Sequence, residues 1–148
     1  MANFWAQKTS LEKHVDQHNR PESSEFTKEK FVSTQTVTFA SLIWLPHNTY
    51  ELRRVYLSNA GGLGTSTTNY WSFSIIQKDN NDKEITLAVL SGSDKALVAD
   101  KPQKCRIPAN GSLNIGVASE LPIFLKGVRT GSPSVTGELY VELVLALK

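Results

Sequence analysis

The chain has 148 residues, of which 40% are hydrophobic, and its 16 Lys and Arg nearly balance its 14 Asp and Glu. This length suits one domain, and such a domain hides roughly 68–70% of its unfolded surface without disulfides or metals. A net charge of +2 is too small for a surface that binds a phosphate backbone, so nucleic acid is excluded as an expected partner.

The single cysteine and the amino-terminal sequence indicate the cellular compartment in which the protein folds. Cys105 has no intrachain partner, which favours folding in a reducing cytoplasm. The opening residues, MANFWAQKTSLEKH, lack the basic region and apolar run of a signal peptide. No apolar run approaches the roughly 18 residues of a membrane span. We therefore expect neither secretion by that route nor membrane insertion.

The composition changes at about residue 33. The first 33 residues contain five basic and five acidic groups, a higher charge density than the remainder. Residues 9–19 fit a short capped helix, and residues 21–30 are polar and turn-prone. We predict an amino-terminal arm over residues 1–33, extended or partly helical, that becomes ordered only against a neighbour. Its predicted partner-binding residues are Phe4, Trp5, Leu11, Val15, Phe26 and Phe31.

After the arm, hydrophobic residues recur with a period of two, which indicates strands. A slip in the alternation between Leu52 and Val55 predicts a bulge. Trp71 is expected to point inward, and a polar turn at residues 79–82 predicts a hairpin. In the first strand, Phe39 and Ile43 should share one face and Trp44 the other. The predicted strands are 35–45, 50–58, 69–77, 84–90, 96–99, 103–107, 112–118, 121–128 and 138–147.

So many short strands between Gly, Asn, Pro and Ser clusters are typical of an all-β protein. For residues 34–148 we predict an antiparallel two-sheet sandwich domain. A jelly roll is the economical way to close it. An immunoglobulin-like sandwich is the nearest competitor, although the paired cysteines of its best-known members are missing.

Four motifs are candidates for catalytic or metal chemistry, and each has a simpler explanation. His14 and His18 fit one helix face but lack a third ligand. The glycine-rich loop at 61–68 lacks the Lys of a phosphate-binding loop. Cys105 has no assignable base, although Lys104 and Arg106 flank it. Glu138 and Glu142 are expected to lie on the exposed face of a strand. We expect no enzyme activity, metal or cofactor, and a small hydrolase is a distant alternative.

Aromatic residues indicate an alternative function. Tyr50 and Tyr70 could stack on a sugar, as aromatic rings do in β-sandwich lectins and carbohydrate-binding modules. Tyr70 is the better candidate, because Trp71 alternates with core residues. The predicted ligand-binding residues are Tyr50, Tyr70 and Arg129, around the loops at 61–70 and 129–137.

Three stretches resemble bacteriophage virion accessory proteins: TVTFASLIWLPHNTYELRRVYLSNAG, GGLGTSTTNYWSFSII and IFLKGVRTGSPSVTGELYVELVLAL. The resemblance covers roughly residues 34–147 and has no invariant motif. It implies a capsid decoration or cement protein, or a head-fibre domain: a β-sandwich with an amino-terminal arm and no active site.

On this basis we expect a non-enzymatic virion subunit, made in the host cytoplasm. It would bind the major capsid protein or other virion subunits through the arm, and form a homo-oligomer, preferably a trimer, through the β domain. The alternative is a carbohydrate-binding module or a fibre-head receptor-binding domain that recognises a glycan.

Overall fold

The computed structural model describes residues 25–107 and 115–147, which form nine strands. Their bounds are β1 Glu25–Val32, β2 Phe39–Trp44, β3 Tyr50–Asn59, β4 Tyr70–Lys78, β5 Glu84–Ser91, β6 Gln103–Lys104, β7 Ile115–Val117, β8 Ile123–Thr130 and β9 Leu139–Leu147.

The strands form two antiparallel sheets, which confirms the predicted all-β sandwich. One sheet has the order β1-β9-β3-β6, with β7 also paired to β3, and the other has the order β2-β8-β4-β5. The pairing is nested. The first strand pairs with the last, the second with β8, β3 with β6 and β7, and β4 with β5.

Two local predictions are confirmed and one is wrong. The register of β3 against β9 shifts between Leu52 and Arg54, as the predicted bulge requires. Strands β4 and β5 form the predicted hairpin. Residues 96–99 do not form a strand, because Leu97 makes only an isolated bridge to Leu63. A short apolar run becomes a strand only when it pairs along its length with a neighbouring strand. Here the described pairing is a single bridge.

Strand β1 corrects the predicted arm. Residues 25–32 pair along their full length with β9, so the prediction that this part is a turn-prone linker, ordered only against a neighbour, is wrong. Alternation places Phe26, Lys28, Lys30 and Val32 on the same face of β1, where Val32 is buried, Phe26 and Lys28 are half-buried, and Lys30 at the sheet edge stays exposed to solvent. The two lysines interrupt the alternation of apolar residues from which a strand is predicted. Charged residues on the inward face also protect edge strands from pairing with other chains. Residues 1–24 lie outside the described residues.

The core is aromatic at one end. Trp71 and Phe73 are buried as predicted and stack with ring centroids 6.1 Å apart. Phe39 lies over Gly127, where a Cβ would come within 2.3 Å of its ring. The absence of a side chain on β8 therefore makes room for Phe39 to reach Trp71, at a centroid distance of 6.0 Å.

The two sides of the sandwich are closed differently. Beyond β6, the amide of Cys105 donates to Val55 of one sheet, and Arg106 exchanges two hydrogen bonds with Val89 of the other. At the β1–β2 side, Phe26 and Trp44 meet edge to face across the sheets at 6.3 Å. Trp44 therefore packs on the core side together with Phe39 and Ile43, contrary to prediction, because β2 has a register shift after Leu42.

Candidate binding site

A cavity of about 100 Å³ opens at one end of the sandwich, beside the start of β4. The loops that precede β4 and follow β8 form its walls, together with the turn after β5. Its lining consists of Leu63, Gly64, Asn69, Tyr70, Trp71, Phe73, Leu90, Gly92, Lys95, Leu97, Pro133 and Ser134.

The loop before β4 is held by backbone hydrogen bonds. Leu63 exchanges two of them with Leu97, at 2.7 and 2.8 Å. The buried Asn59 accepts from the amide of Gly62 through Oδ1 and donates to the Thr136 carbonyl through Nδ2. Ser66 donates its amide to the Gly92 carbonyl. The wall is therefore tied to three other segments of the chain.

The opposite wall, residues 131–134, is fixed by two residues that flank the start of β4. Asn69 Oδ1 accepts from the Ser132 amide at 2.8 Å, and Trp71 Nε1 donates to the Ser134 carbonyl at 2.8 Å. Gly131 has a φ of +69°, and a Cβ there would meet the Thr68 carbonyl oxygen at 2.3 Å. The close approach of the two loops thus requires glycine at this position.

The cavity combines an aromatic residue with hydrogen-bonding groups. Tyr70 is half-buried in its lining, whereas the next residue, Trp71, is 2% exposed and belongs to the core. Asn69 Nδ2 donates to Thr68 Oγ1 and has a second hydrogen to donate. Since the cavity is smaller than the roughly 300–1,000 Å³ of drug-sized sites, it suits part of a ligand, such as one edge of a sugar ring.

The three predicted ligand-binding residues do not lie together. Tyr70 pairs with Thr130, and the neighbouring pair is Trp71 with Arg129, so Tyr70 and Arg129 share one end of the sandwich. Arg129 is exposed and does not line the cavity. Tyr50 begins β3, whose last residue is Asn59 at the cavity end, about 30 Å away at ~3.3 Å per residue.

The predicted arm residues divide into two groups. Phe4, Trp5, Leu11 and Val15 lie outside the described residues. Phe26 is half-buried and packs edge to face on Tyr50 at 5.2 Å, in the cluster with Trp44. Phe31 is 70% exposed and contacts Tyr140 at 4.9 Å. Of the two predicted arm residues described, only Phe31 presents most of its surface to solvent.

Two titratable side chains, Cys105 and Tyr140, have a raised pKa. Cys105 is buried, and desolvation raises the pKa of its thiol to about 12, although Lys104 and Arg106 flank it. A thiol that stays protonated is a poor nucleophile. A hydrogen bond to Glu29 raises the pKa of the half-buried Tyr140 to about 12. Among residues 25–107 and 115–147, no three His, Cys, Asp or Glu gather as metal ligands.

Sequence reasoning named both loops of the cavity but missed much of its lining. Leu90, Gly92, Lys95 and Leu97 come from segments outside the two predicted loops. The bridge that brings Leu63 to Leu97 joins residues far apart in the sequence. Only the apolar character of Leu63, in an otherwise polar loop, could have pointed to this contact.

No family model matches the sequence, and no curated protein matches it either. In the part of the chain that the structure describes, no helix is long and apolar enough to cross a membrane.

Proposed function

We propose that this protein is a non-enzymatic virion structural subunit, of the capsid decoration or cement type, with a jelly-roll β domain. The observation that carries the proposal is the nested strand pairing, first with last and so on inward to β4 with β5. Such nesting results from rolling one long antiparallel hairpin into two sheets, with β6 and β7 as two pieces of one strand. Jelly rolls are common in viral capsid proteins and in lectins, so the link to virions is an analogy of fold.

The base of the arm gives the proposal a physical basis. Residue 25 begins an edge strand, and its carboxylate accepts from Arg53 at 3.2 Å and from Arg54 at 3.0 Å. The bulge in β3 is what brings these two consecutive arginines toward the same partner. Glu25 thus fixes the point at which residues 1–24 join the sandwich, so that an arm bound to a shell would hold the domain in a defined place.

The arm must bind by more than two rings. Burying Phe4 and Trp5 would contribute roughly 1.5–3 kcal/mol each, whereas ordering the backbone costs about 1–2 kcal/mol per residue. Strand addition or many-copy avidity on a lattice has to supply the difference. A repeating capsid surface offers the latter.

The proposal is tested by Phe4→Ala with Trp5→Ala in the full chain. We expect the double variant to fold normally and to lose most binding to purified shells that lack this protein, measured by co-sedimentation. The matched control is Gln7→Ala with Lys8→Ala, which should bind as the unchanged protein does. Shell binding that persists in the Phe4 and Trp5 variant would overturn the role of the arm. Failure of the unchanged protein to bind shells would overturn the proposal.

A second candidate function, recognition of a glycan, is favoured by the cavity beside Tyr70. An aromatic residue next to amide and backbone groups is how proteins hold a sugar, with the ring on its apolar face and polar groups on its hydroxyls. The cavity lies at the loop end of the sandwich, and its described lining residues fall between Leu63 and Ser134. A decoration subunit that also binds a surface glycan would use the arm to attach to the shell and the cavity to bind the glycan.

A further inference from the structure

We propose that the cavity beside Tyr70 is one half of a longer site that takes an acidic saccharide, one that carries a carboxylate or sulfate group. This inference rests on the second candidate function, glycan recognition, and specifies its ligand. It is carried by a second cavity, of about 160 Å³, which adjoins the first.

The second cavity is cationic. It lies on the closed side of the sandwich, where the segment after β6 meets β5, and its lining contains Lys95, Lys104 and Arg106 against one carboxylate, Asp94. The remaining lining residues are Val89, Leu90 and Ser91. Three positive charges and one negative charge leave a local charge of +2, which equals the net charge of the whole chain.

The backbone explains why the cations converge. Cys105 points into the core, so its neighbours Lys104 and Arg106 both point outward, as alternation along an extended chain requires. Two hydrogen bonds of 2.8 Å between Arg106 and Val89 hold this segment against β5. Lys95 comes from the turn after β5, where its amide donates to the Ser91 carbonyl at 3.0 Å.

These cations are available to a ligand. Within residues 25–107 and 115–147, no carboxylate oxygen lies within 4.0 Å of the charged nitrogens of Lys95, Lys104 or Arg106. By contrast, Arg53, Arg54 and Lys126 each pair with a glutamate. An anion at the second cavity would therefore not have to displace a carboxylate of the described residues.

The two cavities are neighbours, because Leu90 and Lys95 line both of them. A ligand that spans them meets Tyr70 and Asn69 at one end and three cations at the other. Sugar hydroxyls and ring faces match the first set, and a carboxylate or sulfate matches the second. A nucleic acid is disfavoured, because a phosphate backbone needs a longer basic surface than three residues provide.

The test compares lactose with two acidic forms of it, sialyllactose and lactose sulfate, in NMR titrations of the ¹⁵N-labelled full chain. We expect at least one acidic form to bind about tenfold or more tightly than lactose, and the amides of Gly64 and Gly92 to shift. The two acidic forms distinguish a carboxylate from a sulfate ligand, and inorganic sulfate is titrated as the non-sugar control.

Two triple variants separate the local charge from the total charge. Lys95→Gln, Lys104→Gln and Arg106→Gln together should abolish the preference for the acidic form. Lys30→Gln, Lys83→Gln and Lys101→Gln remove the same charge from exposed positions outside both cavities and should preserve it. Thermal unfolding checks that both variants are folded.

Each of the other outcomes overturns a different part of the proposal. Equal binding of lactose and its acidic forms would overturn the acidic preference while leaving glycan recognition standing. Inorganic sulfate that binds as tightly as lactose sulfate would reduce the site to an anion site without sugar recognition. No binding of any sugar would overturn both the inference and the glycan candidate.

Discussion

At the scale of single residues, the buried thiol of Cys105 makes stability depend on pH. Its pKa rises from 9.0 to about 12 because burial disfavours the thiolate. The folded thiol therefore keeps its proton to a higher pH than the unfolded one. As pH rises above about 9, the unfolded state loses this proton first, and the protein becomes less stable.

We predict that Cys105 alone lowers the free energy of unfolding by about 1 kcal/mol between about pH 8 and about pH 10. Urea unfolding at both pH values, with Cys105→Ala as the comparison, measures this. The variant is expected to show the smaller loss. Tyr140, whose pKa is also raised, is present in both proteins, so its titration cancels. Equal losses in the two proteins would mean that the thiol titrates normally.

At the scale of elements, Gln77 joins the end of β4 to the segment between β7 and β8. It is 1% exposed, donates to the carbonyls of Ala118 and Leu121, and accepts from the Ala118 amide at 3.1 Å. The Gln77 side chain thus supplies hydrogen bonds to backbone groups of Ala118 and Leu121, which lie outside the strands. The sequence showed only a polar residue at the end of a predicted strand.

We predict that Gln77→Ala lowers the free energy of unfolding by about 1–3 kcal/mol, because backbone groups of the half-buried Ala118 and Leu121 lose their partner. Gln35→Ala is the matched control. Among the residues that the structure describes, its side chain donates only to the exposed Ser33 carbonyl, so a change within about 0.5 kcal/mol is expected. Urea unfolding compares the two. A similar small change in both variants would show that water readily replaces Gln77.

Strand prediction succeeded where every inward position is apolar. In β9, Leu139, Val141, Leu143 and Leu145 are all fully buried, as the alternation of apolar residues in the sequence predicts. It failed at β1, because Lys28 and Lys30 occupy inward positions at a sheet edge. The Lys28 ammonium lies 5.2 Å from the centre of the Trp44 ring. A long side chain can cover apolar surface in this way while its charge stays near water.

The candidate site was less predictable than the strands. Its walls depend on contacts such as Trp71 with Ser134, which are 63 residues apart. Lys95 reaches Lys104 and Arg106 only when β5 and the segment after β6 close the sandwich. Alternation identifies which side chains point outward, but it does not say which outward side chains will meet. Such pairings follow from the topology of the sheets.

At the scale of the whole molecule, the β1–β2 side is the candidate surface for self-association. Residues 31–50 contain no Lys, Arg, Asp or Glu, and the described part of the chain shows β2 paired with β8 alone. Val37 and Leu42 are 60% and 50% exposed there. An uncharged edge strand with exposed aliphatic side chains is prone to pair with another chain. The proposed homo-oligomer would use this edge.

We predict that Leu42→Lys weakens self-association about tenfold or more, because a lysine at the edge strand would have to be buried without a partner. Val98→Lys is the matched control, since Val98 is 49% exposed and Leu42 is 50% exposed. Sedimentation equilibrium over a range of concentrations measures both variants. Equal weakening by the two lysines would mean that added charge, and not the β2 edge, controls assembly. A monomeric unchanged protein at all concentrations would overturn the proposed oligomer.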